Sequence, residues 1–151
     1  MAAFTSIIPS NTRRLYDQML MSPGIRAGDL VITSGRIGYN PDRTMPADTE
    51  TQIRNAFRYQ EEVLQEGGLD FGDVFLIDTY HIGPLSEQFP IYKKVASEFI
   101  REPYPAWLCA QVSNLLLPGA VFELRLMAMA KKAQYSQTDG LASVGSDAAG
   151  T

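Results

Sequence analysis

The nine residues from Val121 to Met129 alternate with a period of two: Phe122, Leu124, Leu126 and Ala128 fall on one side, and Val121, Glu123, Arg125, Met127 and Met129 on the other. The first set is wholly apolar and belongs against a core. The second mixes apolar side chains with an acid and a base. Such a strand needs helices over its first face and a different cover over its second. A subunit interface that also holds a pocket has that mixed character.

The rest of the chain supplies the helices and the partner strands. Asp29 to Gly35 is a β-rich run opened by Ala27-Gly28 and closed by glycine, and reads as a buried strand. After a turn at Gly38 to Asp42, either Asp48 or Thr49 caps a helix in which Ile53, Ala56, Phe57, Val63 and Leu64 recur at helical spacing, and Gly67-Gly68 ends it. Val74 to Ile82 carries β-branched and aromatic residues on both parities, as a central strand does. A second helix is expected from a Ser86 cap, with Phe89, Tyr92, Ala96 and Phe99 on one stripe, Pro90 in the first turn and a stop before Pro103. Trp107 to Val112 is the next strand, with Trp107, Cys109 and Gln111 alternating as the last strand does. The order strand, helix, strand, helix, strand, strand predicts an α+β fold, a mixed sheet with two helices packed on one face. Residues 1–133 are expected to form one domain, and residues 134–151, rich in Ser, Gly, Ala, Thr and Asp without periodicity, a loose polar tail.

Charge and residue counts narrow the function. Thirteen Lys and Arg against seventeen Asp and Glu give a net charge of −4 with no basic block, which argues against a nucleic-acid partner. No apolar run approaches the roughly 20 residues of a spanning helix, so no membrane partner is expected. One cysteine and no signal-peptide pattern in MAAFTSIIPSNTRRLYDQ point to the cytoplasm. With His81 and Cys109 as the sole imidazole and thiol, a Cys/His zinc site lacks ligands, and no Gly-x-Ser-x-Gly elbow accompanies the histidine. Neither metal nor cofactor is expected.

Three segments, Ala27-Gly28-Asp29-Leu30-Val31-Ile32-Thr33-Ser34-Gly35, Pro46-Ala47-Asp48, and Pro105-Ala106-Trp107 with Phe122-Glu123-Leu124-Arg125, resemble the Rid family, the YjgF-like reactive-intermediate deaminases also called endoribonuclease L-PSP-like. The resemblance covers roughly residues 20 to 130. It implies a chorismate-mutase-like fold, a homotrimer with a central barrel, and small-molecule clefts between subunits. It also implies hydrolysis of enamines and imines such as 2-aminoacrylate to a ketoacid and ammonia. Glu123 matches the family's water-positioning glutamate. The arginine that holds the substrate carboxylate in typical members is replaced here by Trp107, an indole with one N–H and no charge, so 2-aminoacrylate is not the expected substrate. The family's cleft tyrosine falls at or near Met21, and an asparagine of its second helix near Lys93.

Each of these residues has a functional and a structural reading. Glu123 is either an acid/base in the cleft or one half of an ion pair with Arg125 or a neighbouring subunit. Trp107 is the floor of a substrate pocket or an interface filler. Arg125, Arg36 and Lys93 are the cations able to replace the missing arginine, and each can equally be a solvated charge. Ser34 and Gly35 close a strand where the family lines its cleft with backbone groups, and are otherwise a plain turn. Met21 and Cys109 complete the expected substrate-contacting set, with a small buried thiol the plainer role for Cys109. His81 reads as a satisfied core or edge histidine. The leading expectation is an enzyme hydrolysing or tautomerising a small imine, enamine or unsaturated metabolite. A non-catalytic trimeric ligand-binding or interaction protein is the alternative, and an endoribonuclease or translation inhibitor ranks third.

Overall fold

A computed structural model describes residues 1–131, so the polar segment expected at 134–151 lies outside the described residues. Seven strands form one sheet: β1 (Thr5–Ile7), β2 (Gly24–Ala27), β3 (Leu30–Thr33), β4 (Arg36–Ile37), β5 (Val74–His81), β6 (Ala106–Gln111) and β7 (Phe122–Met129). Three helices accompany it: α1 (Arg13–Met19), α2 (Thr49–Glu66) and α3 (Leu85–Ala96). The spatial order is β1-β2-β3-β7-β5-β6, with β4 also paired to β7. All pairings are antiparallel except β5 with β6. This is the mixed α+β sheet that the periodicity predicts, with α2 and α3 over one face.

β7 forms the axis of the molecule. Phe122, Leu124, Leu126 and Ala128 are fully buried and meet Ile53, Phe57 and Leu64 of α2 in one cluster. Each such side chain contributes about 1.5–3 kcal/mol by leaving water. Helix α2 forms because Asp48 accepts a 2.8 Å hydrogen bond from Thr51 N and supplies the orphan first-turn donor with a partner. It ends at Gly67, followed by Gly68 at φ +76°. On α3, Tyr92 and Ala96 are buried and Phe99 beyond its end stacks on Phe57 at 5.0 Å, whereas Phe89 lies exposed at the stripe's edge.

The structure departs from the sequence expectations in five places. β1, β2 and α1 precede the first expected element, because short, half-polar segments carry too few apolar positions to show a period. The run Asp29 to Gly35 is not one continuous strand: β3 ends at Thr33, and β4 resumes after Ser34-Gly35. α3 begins at Leu85 with Pro84 at the cap position and no side-chain cap, so Ser86 lies inside the helix. Pro90 is consequently in the second turn rather than the first. Finally, β6 presents Trp107 and Cys109 to the helix side. They pair in register with Ile77 and Thr79 of β5, which oppose Leu126 and Leu124 of β7.

The other face of the sheet carries Ile32, Leu76, Asp78, Tyr80, Glu123, Arg125 and Met127, brought together by the β3–β7 and β5–β7 registers. It has the mixed character that the alternation predicts.

Two buried glutamines on α2 hold the irregular backbone. Gln52 donates to Pro46 O (2.8 Å) and Gly119 O (2.9 Å) and accepts from Val121 N (2.9 Å). Gly38 leaves room for this helix, since a Cβ there would strike the Gln52 backbone. Gln52→Leu keeps the bulk but strands three backbone groups, so we expect a loss of about 2 kcal/mol or more, read as a lower denaturation midpoint at unchanged denaturant slope.

Candidate functional site

The break between β3 and β4 brings part of the expected site together. Gln60 of α2 is completely buried and donates to both Ser34 O (2.9 Å) and Leu124 O (2.6 Å), bridging the interrupted strand to β7. Ser34 in turn donates from Oγ to Ser22 O (2.6 Å) and from its amide to Pro23 O (2.9 Å). Met21 is thereby carried next to the break. Gly35 lies directly against Glu123, whose carboxylate would collide with a Cβ at that position. A side chain at this position would force the Glu123 carboxylate to move.

Glu123 is half-buried, and burial raises its carboxyl above the usual range. Among the described residues it makes neither a hydrogen bond nor an ion pair. Arg125 lies two residues along on the same face, opposite Asp78, and the expected Glu123–Arg125 pair is absent from the described ion pairs. The neighbour that the sequence reading missed is Tyr80, directly opposite Glu123 on β5. Only the β5–β7 register reveals it. Glu123, Gly35 and Ser34 thus form one cluster, with Met21 adjoining it in sequence through Ser22 and with Arg125 and Tyr80 on the same sheet face.

Trp107 and Cys109 are not part of that cluster, since they point to the opposite face. The indole of Trp107 stacks on Tyr92 at 5.0 Å and 5° and on Phe89 at 5.8 Å and 24°. Its one N–H donates to Thr79 Oγ1 at 2.9 Å. Thr79 Oγ1 is also 2.9 Å from His81 Nε2, and His81 Nδ1 is 2.7 Å from Gln88 Oε1. Because the Gln88 oxygen can only accept, His81 donates from Nδ1, and both Nε2 and Leu108 O, at 3.2 Å, lie within reach of the single Thr79 hydroxyl proton. Gln88 completes the series by donating to Ile82 O. Cys109 follows on β6 beside Tyr92, whose phenol is pushed up by burial and, secondarily, by the nearby thiol.

Arg36, one of the cations weighed as a substitute anchor, is 4% exposed and turned toward α2. Its guanidinium lies 4.5 Å from the ring centre of Tyr59 and 5.4 Å from that of Tyr39. Lys93 is exposed on α3 and lines a groove with Trp107. Among the described residues no group of three or more His, Cys, Asp or Glu side chains is placed to hold a metal ion, and no helix is long and apolar enough to cross a membrane.

Burial lowers the pKa of His81, the chain's one histidine, so the folded state favours the neutral ring. The unfolded chain binds this proton near pH 6.5, above the folded value, so stability from the neutral ring is present above that pH and is lost as pH falls toward the folded value. Thermal midpoints measured between pH 7 and pH 5 should fall less steeply for His81→Gln than for the parent chain. An unchanged slope would show that the ring is not held neutral.

With this geometry in view, comparison with known proteins is direct. The sequence model described as "Endoribonuclease L-PSP" matches residues 13–130. The RutC family protein YjgH of Escherichia coli K12 is 33% identical over 125 residues, covering 82% of this chain and 93% of its own. The structure of protein YjgH superposes with a TM-score of 0.75 at 30% identity, covering 87% of this chain and 100% of that one. The 2-iminobutanoate/2-iminopropanoate deaminase of E. coli K12 is 29% identical over 96 residues, 61% of this chain and 73% of its own. The fold is shared with Rv2704 of Mycobacterium tuberculosis, a member of the YjgF/YER057c/UK114 family, at a TM-score of 0.70 and 22% identity over 83% of this chain and 98% of that one. Matched over most of its length in both sequence and fold, this chain belongs to the endoribonuclease L-PSP family and is a Rid/YjgF-like protein.

Proposed function

We propose that the protein is an enzyme that hydrolyses a small imine or enamine to a carbonyl compound and ammonia, with Glu123 as the acid/base. The observation that carries this reading is the half-buried Glu123 carboxylate, which lies against Gly35 without a partner among the described residues and has a raised pKa. A carboxylate whose pKa is raised is a better base toward water, and its conjugate acid can return the proton to nitrogen. Water adds to the carbon of C=N while its proton passes through Glu123 to the nitrogen. An enamine first takes a proton at carbon to become the imine; the carbinolamine then collapses as its hydroxyl proton passes through Glu123 to the nitrogen, the C–N bond breaking to release ammonia and leave C=O. The relative named 2-iminobutanoate/2-iminopropanoate deaminase supports this class of chemistry.

The cleft in this proposal lies between subunits of a homotrimer. Glu123 and Trp107 project from opposite faces of one sheet and cannot meet in a single copy. A neighbouring chain that covers the mixed face can bring its own α3–β6 edge over Glu123. The apolar part of that face, including Ile32, Leu76 and Met127, is the surface that such packing would bury. The lone Cys109 fits a cytoplasmic setting. Trp107 favours one second reading, a non-catalytic ligand-binding trimer, because its single donor is already committed to Thr79. Ribonuclease activity is disfavoured by the net charge of −4.

Two measurements test the proposal. Multi-angle light scattering at micromolar concentration should give three times the chain mass, and a monomer would remove the shared cleft. Glu123→Gln should lower turnover of the true substrate by about 100-fold or more. Because burial opposes ionisation of Glu123, its stabilising contribution is present at low pH and lost as pH rises through the raised folded value. The amide should therefore hold or raise the melting temperature at pH 7. A stable, trimeric and fully active Glu123→Gln protein would eliminate the acid/base role.

A further inference from the structure

The groove between α3 and β6 suggests which compounds reach the site, an inference that rests on the hydrolytic reading above. The groove measures about 780 Å³ and is walled by Phe89, Tyr92, Tyr104 and Trp107 over a floor of Ile77 and Ala96. That is the size of a pocket for a small organic molecule, several times what an iminopropanoate would fill. Trp107 remains 42% exposed although Phe89 and Tyr92 of α3 both stack on it, so the indole keeps free surface toward the groove. Tyr104, at 71% exposed, forms the outer aromatic wall.

The polar groups around this cavity divide clearly. The indole N–H is used by Thr79 Oγ1 and cannot hold an anion. Arg101 also lines the groove, with its Nη1 turned to the carbonyls of Ser97 and Ile100, and Lys94 is 2.8 Å from the Glu50 carboxylate. Lys93 lines the groove, is exposed, and enters none of the ion pairs of the described residues. Glu102 lines the same groove and opposes a second negative charge.

We propose that this groove recognises an aromatic monocarboxylate, its ring stacked on Trp107 and Tyr104 and its carboxylate paired with Lys93, so that the substrates are imines or enamines of aromatic 2-oxo acids. A flat ring gains stacking and burial against the aromatic wall. The lysine supplies the charge that the missing arginine would have provided, as a point charge rather than a planar fork.

Trp107 is the chain's one tryptophan, so excitation at a wavelength that tyrosine does not absorb reads this groove alone. Phenylacetate carries both ring and carboxylate, acetate lacks the ring, and phenethylamine reverses the charge. Phenylacetate should change Trp107 emission saturably, with a Kd of about 1 mM or tighter, and the other two should bind at least about tenfold more weakly. Lys93→Gln, an exposed change that leaves the fold intact, should weaken phenylacetate about tenfold. Acetate or phenethylamine binding as well as phenylacetate, or an unaffected Lys93→Gln protein, would overturn the proposal. Turnover separates it from the acid/base reading. Phenylacetate bound through Lys93 by a protein that hydrolyses no imine upholds the groove and removes the hydrolase. The imine of pyruvate hydrolysed with the same kcat/KM as that of phenylpyruvate, without phenylacetate binding, upholds the hydrolase and removes the groove's selectivity.

Discussion

Strand β7 is bonded along both edges, to β3 and β4 on one side and to β5 on the other, and its alternation decides which way every neighbouring side chain faces. A one-residue slip would drive Glu123 into the α2 core and push Leu124 out of it. Burying an unpaired carboxylate among Ile53, Phe57 and Leu64 costs several kcal/mol, and exposing the core row costs a similar amount. The register is therefore fixed by two penalties of the same sign. The same constraint that folds the sheet also delivers Glu123 to the open face.

Much of this was legible in the sequence because it rests on periodicity. Phe122 to Ala128 and the α2 stripe from Ile53 to Leu64 follow from spacing, and the structure places them accordingly, whereas β5 carries apolar residues on both parities and its buried side is not legible from spacing. The pairing of Gly35 with Glu123 was accessible only through family resemblance, since 88 residues separate them and no local pattern connects them. Alternation gave the parity of Trp107 and Cys109 but not their side. Parity becomes an absolute direction only through the parallel β5–β6 register, a long-range pairing. The short elements β1, β2 and α1 were invisible for a different reason. With three to seven residues each, they contain no more than about two periods of their repeat.

The two faces of the sheet handle polarity differently. On the helix side, Trp107, Thr79, His81 and Gln88 form a hydrogen-bonded series, so the indole is oriented by a network rather than by packing alone. On the open side, Glu123 has no side-chain partner among the described residues. A satisfied network rigidifies, whereas an unsatisfied carboxylate retains a drive to bind protons or donors. This asymmetry separates the scaffolding role of one face from the chemical potential of the other, although both belong to one sheet.

The buried amides of Gln52 and Gln60 have a consequence for solution behaviour. They hold the loop at Pro46, Gly119 and Val121 and the break at Ser34 by neutral hydrogen bonds. Neutral amides neither titrate nor respond to ionic strength, unlike the exposed pairs Arg13–Asp17 and Arg54–Glu98 elsewhere on the surface. The backbone that cradles Glu123 thus keeps its shape across the acid and salt range in which the carboxylate itself changes state. A dependence on pH or salt in this corner of the molecule is thus a property of Glu123 and its ionisable neighbours Asp78, Tyr80 and Arg125 against a fixed background, not of a moving frame.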